Sequence, residues 1–320
     1  MHREVSVIVP AFNALRWLPE TLRSVANQNW PNLQVLVIDD GSTDGTSQFV
    51  SERWPHFQLV TTANQGVSAA RDLGASLATG DFIQYLDADD LLTPGKIARQ
   101  VELFDNHADA DVVYGNWRRL VADATGAFAP RDTVSRRFQD VDHDPQIAFF
   151  TDMWCPTGAY LYRRAFHRCL PPWSKTLPVI QDARFAFDCA RAGANFIHDD
   201  HVATLYRVHG SGSVSTKSRA EFLRDCATNA EEVEQLWHAE NALSDERRAA
   251  LVNIYGSLAR GAFDVDATLF ERLLKNLIRH DPKYRPASPA ALRIVSTLFG
   301  YRRAERVSSW LRAAKLRARL

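Results

Sequence analysis

The sequence predicts an α/β protein: a mainly parallel, Rossmann-like sheet flanked by helices, followed by a helical C-terminal extension. Three observations predict it. Short apolar runs alternate with amphipathic stretches over roughly the first ninety residues. Carboxylates gather where two of those runs end, and from Ser218 onward the apolar spacing is almost wholly helical.

Taken in order, Val5–Pro10, Leu33–Ile38, Phe57–Thr61 and Phe82–Leu86 read as buried strands, because a parallel strand covered on both faces is apolar nearly throughout. Between the first two, Trp17, Leu18, Thr21, Leu22 and Val25 recur at helical spacing, and Val67–Leu77 and Ile97–Phe104 repeat that pattern. Strand, helix and strand in succession make βαβ units. Ser42-Thr43-Asp44 after Gly41 is a helix-capping sequence, so the second strand turns into a helix at Asp39-Asp40-Gly41. Asp111–Tyr114 reads as a further strand, Arg118–Pro145 as polar and irregular, and Ala159–Phe166 and Asp182–Arg191 resume regular patterns. The predicted organisation is a core over 1–217, made of halves 1–115 and 116–217, and a helical region over 218–320 broken by Pro282, Pro286 and Pro289.

Composition narrows the function classes. At 320 residues, 46% hydrophobic and 24% charged, the chain is neither disordered nor collagen-like. A formal net charge of zero opposes a general nucleic-acid binder, which needs a broad basic field to release counterions. The charge is uneven, since Arg293–Arg319 holds eight basic residues and one acid, Glu305. Cys155, Cys169, Cys189 and Cys226 show no CxxC spacing, which fits a reducing, cytoplasmic setting and opposes a zinc ribbon. The strand pattern reaches Pro10 too early for a signal peptide, and no run of about 18 apolar residues predicts a membrane span.

In open α/β sheets ligands bind outside the carboxyl ends of the strands, which gives weight to Asp39, Asp40, Asp87, Asp89 and Asp90. Asp87 and Asp89 follow a strand and can converge on a cation. Oxygen donors suit Mg2+ or Mn2+, and Mg2+ is usually held by one or two carboxylates together with substrate phosphates. The competing reading is a capping cluster for a helix starting near Pro94.

Four segments in sequence order resemble the glycosyltransferase family 2 pattern: Val5-Ser6-Val7-Ile8-Val9-Pro10-Ala11-Phe12-Asn13, Val37–Thr46 with Asp39-Asp40-Gly41-Ser42, Asn64-Gln65-Gly66 leading to Arg71 and Gly74, and Asp87-Ala88-Asp89-Asp90. The resemblance covers about Val5–Ser215. It implies a GT-A type mixed sheet whose first half binds a nucleotide sugar, and inverting, metal-dependent transfer from a nucleoside diphosphate sugar, UDP favoured, to a glycan or lipid-linked acceptor. Such chemistry belongs to bacterial-type cell-surface glycan or polysaccharide assembly.

By the same resemblance Pro10 and Phe12 line the base pocket, Asp39 contacts the base, Asp87 approaches the ribose, Asp89 binds metal, and Asp40 is structural. Arg71 braces the acids or meets phosphate. Val179–Ala186 resembles the family's Glu-Asp motif, with Asp182 the catalytic base and Gln181 in place of the usual Glu. Trp154-Cys155-Pro156-Thr157-Gly158 resembles the segment framing sugar and acceptor, with Trp154, Thr157 and Gly158 at the pocket. Arg207-Val208-His209-Gly210-Ser211-Gly212-Ser213 resembles a late element in which Arg207 and Ser213 meet the diphosphate and His209 the metal. Cys155 is set aside as a nucleophile, since no base accompanies it.

Two other functions are weighed against this. A nucleotidyltransferase needs a glycine-rich basic loop, which Pro10-Ala11-Phe12-Asn13 is not. A nucleotide-sugar-binding scaffold without catalysis is encouraged by Gln181 alone and opposed by Asp87, Asp89, Asp182 and His209. In the tail, Val295, Leu298, Phe299, Val307, Trp310, Leu311 and Ala314 form an apolar stripe among arginines. Both a packed helix with a solvated basic face and a peripheral membrane contact through 291–320, on the inner face of the cytoplasmic membrane, fit that stripe.

Overall fold

The structure, a computed structural model, describes residues 3–209, 218–286 and 289–317, with side chains through 310. It divides into two compact units, Met1–Ser213 and Val214–Leu320.

The described part of the first unit carries one sheet of nine strands: β1 (Val5–Ala11), β2 (Leu33–Asp39), β3 (Gln58–Thr61), β4 (Phe82–Tyr85), β5 (Leu91–Leu92), β6 (Val112–Ala122), β7 (Phe128–Val134), β8 (Tyr160–Arg163) and β9 (Phe196–Val208). Its helices are α1 (Leu18–Ala26), α2 (Thr46–Arg53), α3 (Val67–Leu77), α4 (Lys96–Asn106), α5 (Pro145–Thr151), α6 (Arg164–His167) and α7 (Gln181–Arg191). The strand order is β3-β2-β1-β4-β8-β6-β9-β5, with β7 paired to β6. β1 to β4 run parallel, whereas β8 is antiparallel to both β4 and β6, so the sheet is mixed.

All seven residues of β1 are buried, as a central strand between β2 and β4 requires. The register pairs Ala11 with Asp39, so the loops leaving β1 and β2 emerge side by side at the ligand-binding edge. Leu18, Thr21, Leu22 and Val25 are the buried residues of α1, the face their spacing predicts.

Two predicted features change. The stretch read as irregular from Arg118 begins inside β6, which runs to Ala122 and turns back into β7; the Asp123 carboxylate closes the turn by accepting the Thr125 and Ala127 N–H groups. Exposed Arg118 and Arg119 masked a strand whose Trp117 and Leu120 are buried. The helix after the acidic cluster is capped by Gly95, not by the aspartates, which removes the capping reading of Asp89 and Asp90.

The second unit comprises α8 (Arg219–Ala239), α9 (Asp245–Ala262), α10 (Ala267–His280), α11 (Ala290–Phe299) and α12 (Tyr301–Arg317) among its described residues. Ser218, Ser244 and Asp266 cap the first three through side-chain oxygens that accept N–H groups one turn on. Buried Glu234 accepts hydrogen bonds from Tyr255 Oη (2.7 Å) and Arg279 (2.8 Å) and lies beside a cavity of about 370 Å³. No helix among the described residues is long and apolar enough to cross a membrane.

Candidate active site

The loops after β1 and β2 are interlocked. Asn13, at φ 48°, donates its N–H to Ser42 Oγ (2.8 Å), while its Oδ1 accepts the Thr43 N–H (2.8 Å). Asp44 ties the same loops by accepting the Leu15 N–H (3.0 Å), and it accepts the Thr46 N–H (3.0 Å) from one position ahead of the α2 cap, Gly45. Pro10 is buried in β1, whereas Phe12 just beyond it is 51% exposed and presents a ring to the crevice. Asp39 is buried; its Oδ1 accepts the Ser42 N–H (3.1 Å) and its Oδ2 the Ser47 hydroxyl. Asp40 accepts the N–H groups of Gln65 (2.8 Å) and Gly66 (2.7 Å), fastening β2 to the start of α3. Gly41 between them sits at φ 83° and 3.0 Å from the Asn64 nitrogen measured to where a Cβ would be, so only glycine fits.

The acids after β4 lie on a turn, in which the Asp90 N–H donates to the Asp87 carbonyl (3.1 Å). Asp87 and Asp89 each remain about a third exposed, at 32% and 34%. Asp90 is buried, its Oδ1 accepting the Arg207 N–H (2.8 Å), and burial first, then the charges of Asp89 and Asp87, push its carboxyl well above the usual range.

Two buried arginines hold this turn. Arg71 on α3, 1% exposed, donates to Asp87 Oδ1 (2.6 Å) and lies over the Trp173 ring (4.3 Å). Arg207 on β9 donates to the Asp89 carbonyl (2.8 Å) and to Glu20 (2.6 Å) and lies over Trp17 (4.6 Å) and Phe128 (4.8 Å). Beside them His209 Nε2 is 2.8 Å from Asp89 Oδ2, with its ring stacked on Trp17 at 5.2 Å.

Asp182 occupies the first turn of α7. Trp154 Nε1–H donates to its Oδ2 (2.8 Å) and the Ala183 N–H to its Oδ1 (2.8 Å). Burial raises its pKa, opposed by the Trp154 hydrogen bond and the Arg71 charge. Trp173 joins the two halves: one face meets Arg71 and its ring stacks on Phe185 of α7 at 4.0 Å, three residues beyond Asp182. Trp154 itself stands edge-on to Trp117 (5.2 Å) and Tyr206 (5.5 Å).

Several of the expected site residues are buried. Arg71 and Arg207 are buried, with their guanidinium groups directed to Asp87, and to Glu20 and the Asp89 carbonyl, respectively. Gly158 is packed: a Cβ there would lie 2.6 Å from Thr204 Oγ1, and neighbouring Thr157 is 2% exposed. Gln181 is 8% exposed, with Oε1 lacking a hydrogen-bond partner. Ser213 lies outside the described residues. Cys155 is buried and its thiol pushed up to about 12, as an inert thiol should be. Trp17, Glu20 and Trp173 were missed; each reads as an ordinary helix or loop residue until the chain brings its partner from far along the sequence.

The donor set fits a divalent cation held mainly by a substrate. Asp89 and His209 offer an oxygen and a nitrogen side by side, and no group of three His, Cys, Asp or Glu side chains suited to a metal occurs among the described residues. That is too few for a cage and enough for a cation whose remaining ligands are phosphate oxygens.

The mixed α/β sheet with acids at its carboxyl edge is of the GT-A type. Residues 6–169 match the model of Glycosyl transferase family 2, and the chain belongs to that family. An uncharacterised glycosyltransferase of Nostoc sp. is 26% identical over 71% of this chain and 71% of its own, and the putative glycosyltransferase EpsH of Bacillus subtilis 25% over 68% and 64%. Uncharacterised glycosyltransferases of Rickettsia are 34–38% identical over 106 residues, and there the match spans less than a fifth of the relative's length. Among solved structures, S. aureus TarS 1–349 in complex with UDP-GlcNAc superposes with a TM-score of 0.64 at 20% identity, covering 96% of this chain and 92% of that one. The mannosyltransferase PcManGT of Pyrobaculum calidifontis, in complex with GDP-Man and Mn2+, gives 0.54 at 19% identity, covering 96% and 87%.

Proposed function

We propose that the chain transfers a sugar from a nucleoside diphosphate donor, a UDP-sugar foremost, to an acceptor hydroxyl with inversion, in the assembly of a cell-surface glycan or polysaccharide. The observation that carries this reading is the braced turn, where buried Arg71 and Arg207 hold Asp87 and Asp89 while both carboxylates stay open to a ligand. Phe12, Pro10 and Asp39 take the base and Asp87 the ribose. Asp89 and His209 would hold Mg2+ or Mn2+, which would supply positive charge beside the diphosphate. Asp182 accepts the proton of the attacking hydroxyl, its carboxylate aimed by the Trp154 N–H. Trp154 and Gln181 border the acceptor; the Gln181 Oε1 atom is a ready acceptor for a substrate hydroxyl. The ligands of TarS and PcManGT support the donor class and the cation.

The test is a thermal-shift panel of UDP-, dTDP- and GDP-sugars with and without Mn2+, followed by assay of nucleoside diphosphate release. One donor should raise the melting temperature more with Mn2+ than without. Asp89→Ala should lose the Mn2+-dependent increment, while Asp182→Asn should keep it and lose turnover. No stabilisation by any donor refutes the reading.

A further inference from the structure

The helical unit ends in a surface that its own packing leaves unexplained. Among the described residues ten large apolar side chains are classed as exposed, and five of them fall in one short segment: Ile294 (60%), Leu298 (68%), Phe299 (58%), Val307 (46%) and Trp310 (70%). The inward side of this segment is accounted for. Leu292, Ser296, Tyr301, Ala304 and Glu305 are buried, and Tyr301 is anchored edge-on to Tyr284 at 5.2 Å. Ile294 and Leu298 are one turn apart on α11, opposite Leu292 and Ser296, and on α12 Trp310 points away from Tyr301, Ala304 and Glu305 while Val307 borders them. Leu298, Phe299 and Trp310 are thus held outward by a packed inner face.

Charge selects the occupant. Arg293, Arg302, Arg303 and Arg306 are all exposed, and the segment's one acid over 289–310, Glu305, is 0% exposed. Only Arg302 pairs with an acid among these, donating to Glu271. The outward face is therefore apolar and cationic with no exposed carboxylate of its own. A twofold contact between copies through it would set arginine against arginine. An anionic bilayer matches both features, since aromatic and aliphatic side chains enter the acyl boundary while guanidinium groups remain among the headgroups.

We propose that the outer faces of α11 and α12 form a docking surface for an anionic lipid bilayer. The surface acts independently of sugar transfer.

The test is co-sedimentation of the full chain with phosphatidylcholine vesicles, with and without phosphatidylglycerol. The wild type should pellet with the anionic vesicles and not with phosphatidylcholine alone, and added salt should release it. Leu298→Glu with Trp310→Glu should reduce the bound fraction at least tenfold, with an unchanged circular dichroism spectrum showing that the exposed substitutions leave the fold intact. Asp182→Asn should pellet like the wild type, which separates this proposal from the transfer reading. Failure to pellet, equal pelleting of the double variant, or a dimer in light scattering that the double variant dissociates would each overturn it.

Discussion

Replacing Trp154 by Phe tests how Asp182, the proposed base, is tuned. The substitution keeps an aromatic ring beside Trp117 and Tyr206 and deletes one N–H, the 2.8 Å donor to Asp182 Oδ2. Burial raises the Asp182 pKa and that N–H lowers it. A general base must be ionised, so activity is present above this pKa and lost as pH falls through it. Removing the N–H pushes the acid limb to higher pH. A hydrogen bond to a charged group contributes about 1.5–3 kcal/mol, and because Asp182 is only half-buried the lower end applies. On the acid limb that is about tenfold in kcat/KM. The assay is nucleoside diphosphate release against pH, with the donor chosen from the thermal-shift panel. Trp154→Phe should fall about tenfold below the wild type at low pH and converge with it on the plateau. Superimposable profiles, or the same loss at every pH, would refute the reasoning; the latter would leave Trp154 only a stacking surface.

Other perturbations read the supporting frame. Asp87→Ala strands the Arg71 charge with Nε and one terminal nitrogen already lacking partners; breaking a buried pair costs about 3–5 kcal/mol, and the one-third exposure of Asp87 sets the expected loss in urea denaturation at the lower end. Gly158→Ala should destabilise by about 1–3 kcal/mol through overpacking against Thr204, and Thr204→Ala in the same chain should recover part of that loss in thermal denaturation. Burial keeps the Cys155 thiol protonated, with its pKa at about 12, whereas Cys169 is exposed; iodoacetamide at neutral pH should label Cys169 and spare Cys155 in the folded chain, read by peptide mass.

How much of this was legible in the sequence depends on how far apart the interacting residues lie. β1, β2 and β4 could be read because strands buried on both faces are apolar throughout, and Asp39 and Asp87 stand out as acids just where such runs stop. β9 could not, because His198, Asp199, Asp200 and His201 interrupt its apolar pattern and its pairing with β6 shifts register near Asn116. Arg207 stands out in the sequence only by resemblance, as a diphosphate contact. Its partner Glu20 lies 187 residues away, and no local pattern reports an ion pair at that separation.

The aromatic at position 173 shows what such long-range contacts accomplish. Asp87 lies on the turn after β4 and Asp182 in the first turn of α7, and their placement would drift if each depended only on its own segment. Trp173 removes that freedom. Its backbone N–H donates to Asp72 Oδ1 of α3 (3.0 Å), its ring lies under the same Arg71 that holds Asp87, and it stacks on Phe185 at an interplanar angle of 4°. The Ser68 hydroxyl adds a bond to the next residue's carbonyl (2.6 Å). A guanidinium suits this position better than an ammonium, because its planar face can lie on an indole while its edge binds a carboxylate. The burial of Arg71 is therefore what connects the two carboxylates: one cation pairs with Asp87, opposes the rise that burial gives the Asp182 pKa, and is fixed by the ring that also fixes the helix bearing Asp182.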